Sequence, residues 1–180
     1  MRRRSVSAWA LLSVALVALV IASCGGGGGS SEGPAKANPY APPGAGEPPV
    51  DVVVVIKQQN NPRFDLLAQE INGVNISNQF DQDSSNNMDE PLVIPPGRIR
   101  FFLENVGTLA HAYQVSLPDG TKIAKTRNIG PLKTGELTVD LAPGTYLAIC
   151  PLSDHAQRGS KRALIVDPKA QYPAPPFQSQ

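Results

Sequence analysis

The sequence predicts an all-β domain, an antiparallel Greek-key β-sandwich of seven to eight strands. Short runs of β-branched and aliphatic residues recur through the middle of the chain, and clusters of Gly, Pro, Asn and Asp separate them. No long stretch places apolar residues at helical spacing. The runs fall within residues 51–167, a length that can bury a core without metal or disulfide support. The candidate strands are 52–57, 66–72, 92–94, 98–105, 112–117, 136–141, 144–149 and 163–166.

Turn-forming triplets mark where several of these strands end. Pro95-Pro96-Gly97 separates the third candidate strand from the fourth, Pro118-Asp119-Gly120 follows the fifth, and Ala142-Pro143-Gly144 lies between the sixth and seventh. Proline lacks the N–H that a central ladder needs, and glycine adopts the backbone angles of tight turns. The polar stretch 76–90 is too long and hydrophilic for a strand, so we expect an exposed excursion there.

Both ends of the chain differ in composition from this central domain. Residues 25–49 contain eight Gly and six Pro and almost no aliphatic residues. Such a segment cannot bury enough apolar surface to order itself, which predicts a flexible tether over residues 24–50. The Pro-containing tail 168–180 is expected to lie over the surface or to be disordered.

The first 23 residues have the pattern of an export signal. Three arginines at positions 2–4 precede an uncharged apolar run, whose length is also close to the roughly 20 residues of a transmembrane helix. The run ends in Ile21-Ala22-Ser23-Cys24, which resembles the lipobox of bacterial lipoproteins. The resemblance implies that Cys24 is acylated and begins the mature chain. Two acyl chains would anchor the protein to the extracytoplasmic, or periplasmic, face of the cell membrane.

The chain contains only two cysteines, Cys24 and Cys150, and two histidines, His111 and His155. A zinc site with four Cys or His ligands would require all four, Cys24 included. With Cys24 acylated, no intramolecular disulfide is possible in the mature chain. Cys150 is therefore a buried core residue, a partner in an intermolecular disulfide, or a metal ligand.

The residues around Cys150 and the two histidines resemble the cupredoxin, or blue copper, family. Asn105-Val106-Gly107 precedes His111, and much later Gly144-Thr145-Tyr146 opens an aliphatic strand that ends in Cys150-Pro151, before a short loop to His155 and Gly159. The resemblance covers residues 92–166. It implies a plastocyanin- or azurin-like sandwich that binds one copper ion through His111, Cys150 and His155. A thiolate and two neutral imidazoles form a trigonal set that suits both Cu(I) and Cu(II).

Two positions depart from the family pattern. Many cupredoxins have a Met just beyond a Gly after the second His, as a weak axial ligand, whereas Ser160 follows Gly159 here and no Met occurs after Met88. Several members have Asn directly after the first His, whereas this chain has Ala112. We therefore expect a type 1-like site without the usual axial Met, either three-coordinate or completed by an oxygen from Gln157 or from water at Ser160, or a site that has lost copper. Met88 is a further axial candidate if the polar excursion folds over the site.

The resemblance implies a membrane-tethered monomer that passes single electrons between redox partner proteins. A copper carrier that exchanges metal with a donor or acceptor protein, and a metal-free interaction domain on the same scaffold, are the alternatives. We expect no enzyme activity, because no Ser/His/Asp arrangement or phosphate-binding Gly loop is found. A formal net charge of +1 and the lack of basic, aromatic clusters argue against nucleic acid. Lys161 and Arg162 place positive charge near the copper, or lie in an exposed turn.

Overall fold

A computed structural model of the 180-residue chain describes residues 37–80 and 90–177. Within these ranges the chain forms ten β-strands and one 3₁₀ turn, Ser77–Gln79. No helical segment of this part of the chain has the length and apolarity that a membrane span requires. The strands are β1 (Val52–Gln59), β2 (Asp65–Ile71), β3 (Val74–Asn75), β4 (Leu92–Ile94), β5 (Gly97–Asn105), β6 (Gln114–Ser116), β7 (Lys122–Lys125), β8 (Thr134–Leu141), β9 (Gly144–Ile149) and β10 (Lys161–Val166).

The strands form two five-stranded sheets, ordered β3-β2-β1-β5-β8 and β4-β10-β9-β6-β7. The predicted all-β sandwich is confirmed, with ten strands rather than seven to eight. The sheets are mixed rather than purely antiparallel, because β1 pairs in parallel with β5 and β4 pairs in parallel with β10. Each parallel pair joins strands that are far apart in the chain, and no local sequence pattern indicates such pairing.

Two short strands, β3 and β7, lie outside the predicted set. Both are at the edge of a sheet, and their side chains are largely exposed. β7 has the sequence Lys-Ile-Ala-Lys and pairs with β6 after the Pro118-Asp119-Gly120 turn. Edge strands of this kind bury little apolar surface and therefore lack a strong hydrophobic alternation.

The core lies between the two sheets. Ile99, Phe101 and Leu103 alternate along β5 and are fully buried in this core, while Arg100 and Phe102, on the opposite face of the strand, are buried as well. The predicted excursion 76–90 also contributes to this core, since Ile76 and Phe80 are buried. The expectation of an exposed segment is therefore wrong at these two apolar residues, and residues 81–89 lie outside the described ranges.

Both terminal segments contact the first sheet. The Arg100 guanidinium donates to the Ala41 carbonyl oxygen at 2.6 Å and lies 5.9 Å from the centroid of the Phe177 ring. The Asn72 amide donates to the Pro173 carbonyl oxygen at 2.7 Å. Residues 37–50 are thus not a free tether in this structure, because a Pro-rich segment loses little conformational entropy when it docks. Residues 1–36, with Cys24, lie outside the described ranges.

Candidate metal centre

Two connections at the same end of the sandwich supply the candidate ligands. The connection from β5 to β6 carries His111. Cys150 directly follows β9, and His155 lies in the loop from β9 to β10. One donor atom from each of the three residues lies within 4.8 Å of the other two, and all three side chains are buried. The structure thus brings together the three residues that the sequence singles out.

Backbone hydrogen bonds within the loop from β9 to β10 hold Cys150 beside His155. The Cys150 N–H donates to the Ser160 carbonyl oxygen at 2.8 Å, and the Ser160 N–H donates to the His155 carbonyl oxygen at 2.9 Å. The His155 N–H donates to the Leu152 carbonyl oxygen at 3.1 Å. Cys150 Sγ lies 3.3 Å from His155 Nδ1. The geometry of this ligand pair is therefore set locally, by a short loop closed on itself.

His111 is held by a second set of hydrogen bonds. It forms an isolated antiparallel bridge with Ile129. The His111 N–H donates to the Ile129 carbonyl oxygen at 2.9 Å, and the Ile129 N–H donates to the His111 carbonyl oxygen at 2.6 Å. Strand β6 therefore begins at Gln114, later than predicted. The Asn105 side-chain amide donates to the carbonyl oxygens of Leu109, Ile129 and Gly130 at 2.8, 2.9 and 3.0 Å. Asn105 thus ties the His111 segment to the connection between β7 and β8.

Burial keeps both imidazoles in the neutral form that binds metal. Desolvation, together with a smaller effect of the nearby His155, lowers the pKa of His111 from 6.5 to about 4. Desolvation also lowers the pKa of His155, with Arg158 acting in the same direction and Asp154 against it. Neither ring nitrogen of His111 has a hydrogen-bond partner among the described residues. Because buried polar atoms are nearly always satisfied, an imidazole in this state indicates a ligand that bonds to nitrogen.

The donor set fits one soft or borderline metal ion. Metal–sulfur and metal–imidazole bonds of roughly 2.3 and 2.0 Å would put donors around one ion about 3.5 to 4 Å apart. The observed separations require only small side-chain adjustments. A two-sheet sandwich with a buried His-Cys-His cluster at one end matches the arrangement that the sequence resemblance implies. The fold is a cupredoxin-like β-sandwich.

Several solved structures are similar to this domain in fold. A dithionite-reduced auracyanin from Roseiflexus castenholzii is 19% identical, with 63% of this chain and 95% of that chain covered and a TM-score of 0.45. A rusticyanin from Thiobacillus ferrooxidans is 21% identical, with 63% and 75% covered and a TM-score of 0.42. A copper nitrite reductase from Nitrosomonas europaea is 17% identical, with 72% and 53% covered and a TM-score of 0.48. No protein-family profile and no curated protein sequence matches this chain.

The backbone at Ala112 makes a hydrogen bond to the cysteine sulfur. The Ala112 N–H donates to Cys150 Sγ at 3.4 Å, and the Ala112 carbonyl oxygen accepts from Gln58 Nε2 at 3.0 Å. Gln58 lies on β1 and is fully buried. Where several cupredoxins have an Asn side chain after the first His, this domain links its two ligand segments through a main-chain donor.

The two axial candidates lie in different environments. Gln157 is exposed, whereas Ser160 is fully buried and its Oγ has no hydrogen-bond partner within the described ranges. Met88 lies outside those ranges. Arg162 is buried, and its guanidinium donates to the carbonyl oxygens of Leu66 and Glu90 at 2.9 and 2.7 Å. An exposed turn at Arg162 is therefore the wrong expectation, because carbonyl acceptors inside the sandwich bind two of its nitrogens and the buried Asp65 carboxylate lies 3.7 Å from its Nη2.

An aromatic residue that the sequence does not single out packs against both histidines. Phe64, in the connection from β1 to β2, is buried, and its ring centroid lies 4.7 Å from that of His155 and 6.0 Å from that of His111. The two imidazole centroids are 4.9 Å apart. Phe64 belongs to no ligand motif and is far from the histidines in the chain, so no local signal identifies it.

Proposed function

We propose that this domain binds one copper ion through His111, Cys150 and His155 and carries single electrons between redox partner proteins. The observation that supports this proposal is the buried cluster of one thiol and two imidazoles, with donor atoms within 4.8 Å of one another. Thiolate and imidazole are donors that suit copper in both of its common oxidation states. We further propose that the protein works as a monomer at the extracytoplasmic face of a membrane, anchored through acylated Cys24.

Copper, when bound, supplies the one-electron couple. His111 and His155 offer neutral nitrogen donors, because burial lowers the pKa of both imidazoles. Cys150 offers a sulfur that already accepts the Ala112 N–H. Each ligand segment is fixed by its own backbone hydrogen bonds, so the ligands keep their positions when the charge at the site changes.

Burial of the cluster favours an electron carrier over a copper carrier. His111 and Cys150 are 0% exposed and His155 is 7% exposed. Transfer of the metal itself requires ligands of an acceptor protein to reach the copper, and a closed site slows that exchange. Electrons need no such access, since they pass through the protein. The copper-delivery alternative predicts rapid loss of copper to a chelator in one oxidation state.

A titration of the purified protein with Cu(II), followed by visible absorption, tests the proposal. We expect about one equivalent to bind and the Cys150 thiolate to give an intense visible charge-transfer band. Cys150→Ser should abolish the band and leave the sandwich folded, and His111→Ala and His155→Ala should weaken binding. A colourless protein whose thermal midpoint is unmoved by excess copper would exclude the proposal, since a ligand that binds only the folded state raises apparent stability.

The axial position has a test of its own. Ser160 stands where many cupredoxins have the axial Met, and its buried hydroxyl lacks a hydrogen-bond partner among the described residues. Ser160→Met should therefore move the spectrum and the reduction potential toward those of Met-containing relatives. Gln157→Ala serves as the comparison, because Gln157 is exposed and should alter neither quantity unless it is a ligand. A Ser160→Met protein with wild-type properties would mean that Ser160 does not lie beside the copper.

A further inference from the structure

The connection from β1 to β2 lies over the ligand cluster. Phe64 is only 3% exposed, and its ring packs against the imidazoles of His111 and His155. A phenyl ring offers no lone pair to a metal, but it occupies space that water or an anion would otherwise fill. Phe64 is therefore placed to control access to the metal without being a ligand.

A guanidinium group lies on Phe64. The Cζ atom of Arg158 is 3.9 Å from the centroid of the Phe64 ring, a short cation–π distance. Arg158 is exposed and comes from the same loop as His155. The ring thus contacts the imidazole of His155 and the exposed guanidinium of Arg158. One loop supplies both the ligand and the cation that holds the aromatic ring against it.

Backbone packing fixes this arrangement further. Gly159 has a φ of +122°, a conformation that favours glycine, and a Cβ atom at this residue would overlap the Phe64 carbonyl oxygen. On the other side, Asn60 accepts hydrogen bonds from the N–H groups of Thr108 and Leu109 at 2.8 and 3.2 Å. The β1–β2 connection is therefore seated against the loop that carries His155 and tied to the segment that leads to His111.

We infer that Phe64, held by Arg158, covers the two histidine ligands and excludes water and small anions from the metal. This inference rests on the proposed copper site. The family's Met is expected beside Gly159, and the Phe64 backbone packs against that residue here. An entering ligand would have to displace a buried aromatic ring and break its cation–π contact, both of which are unfavourable.

Azide is a suitable probe, because it is small, anionic and gives its own charge-transfer band when it binds Cu(II). We expect the spectrum of the copper-loaded wild-type protein to be insensitive to azide, and Phe64→Ala to bind azide at least about tenfold more tightly. Phe80→Ala is the matched control. Phe80 is also a buried ring beneath an arginine, with Arg162 Cζ 4.5 Å from its centroid, but the structure gives it no contact with the His rings. Its substitution should leave azide affinity unchanged.

A metal-free measurement separates this inference from the proposed function. In the absence of copper, Phe64→Ala should increase the rate at which a thiol reagent modifies Cys150 by at least about tenfold, with the site of modification identified by peptide mass mapping. If Phe64→Ala does not fold, Phe64→Leu and the exposed Arg158→Gln take its place, with smaller increases in the same direction. Equal azide affinity and equal Cys150 reactivity in wild type and folded variants would overturn the inference. A wild-type protein without a charge-transfer band would instead overturn the proposed copper site.

Discussion

Asn105 makes a strong prediction, because one buried side chain joins three segments around His111. Its Nδ2 donates to three carbonyl oxygens at 2.8 to 3.0 Å, and its Oδ1 accepts from the Gly107 N–H at 2.9 Å. Two amide hydrogens shared among three acceptors amount to about two full bonds, and the accepted bond makes three. At about 1 kcal/mol for each, Asn105→Ala should lower the free energy of unfolding by about 3 kcal/mol. The thermal midpoint should fall by roughly 10 °C.

Urea unfolding of the metal-free protein, followed by circular dichroism, measures this effect. Asn128→Ala is the control, since Asn128 is an exposed Asn next to Ile129 and its loss should change stability by less than about 0.5 kcal/mol. Asn105→Asp should be at least as destabilising as Asn105→Ala, because a carboxylate would face three carbonyl oxygens. A loss below about 1 kcal/mol for Asn105→Ala would refute the reasoning, since it would mean that water replaces these bonds without cost.

The same substitution should also weaken copper binding. The Ile129 carbonyl oxygen accepts from both the Asn105 amide and the His111 N–H, so loss of Asn105 loosens the segment that positions His111. We expect a lower copper affinity with the charge-transfer band retained, because Cys150 and His155 lie in a separate loop. A copper affinity equal to that of wild type would show that the His111–Ile129 bridge suffices to hold the ligand.

Three further predictions concern protonation, packing and the membrane anchor. The metal-free protein should lose stability as the pH falls from 6.5 to about 4, because the folded state, with its lowered His111 pKa, binds fewer protons than the unfolded state. Urea denaturation at several pH values should show that the free energy of unfolding depends less on pH in His111→Leu than in wild type. An equal pH dependence would contradict the burial argument. Tyr113→Phe should stabilise the domain by up to about 1 kcal/mol, because the buried Tyr113 hydroxyl has no hydrogen-bond partner in the described part of the chain. If urea unfolding shows that the variant is less stable than wild type, the hydroxyl has a hydrogen-bond partner and the reasoning is wrong. In cell fractionation, the Cys24→Ser protein should leave the membrane fraction or accumulate in its unprocessed form. A Cys24→Ser protein that is processed normally and stays bound to the membrane would exclude acylation at Cys24.

The sequence alone determined the features that depend on local patterns. The β-branched runs predicted β1, β2, β5 and β9 to within two residues at each end, and Pro- and Gly-containing turns separate the strands as expected. The three donor residues of the candidate centre were also identified in the sequence, through the resemblance to cupredoxins of the segments around His111, Cys150 and His155. Backbone preference and ligand chemistry are properties of a few neighbouring residues, and a sequence displays them directly.

Only the tertiary structure decided the features that depend on residues far apart in the chain. The parallel pairing of β1 with β5, the burial of Arg162 and the docking of residues 37–50 all arise from contacts between distant segments. The packing of Phe64 between His155 and Arg158 is of the same kind. A phenylalanine in a loop is ordinary in sequence, and its role depends on which groups the fold brings to either face of its ring. The sequence therefore indicates which residues can hold a metal, while the fold determines how closed their site is.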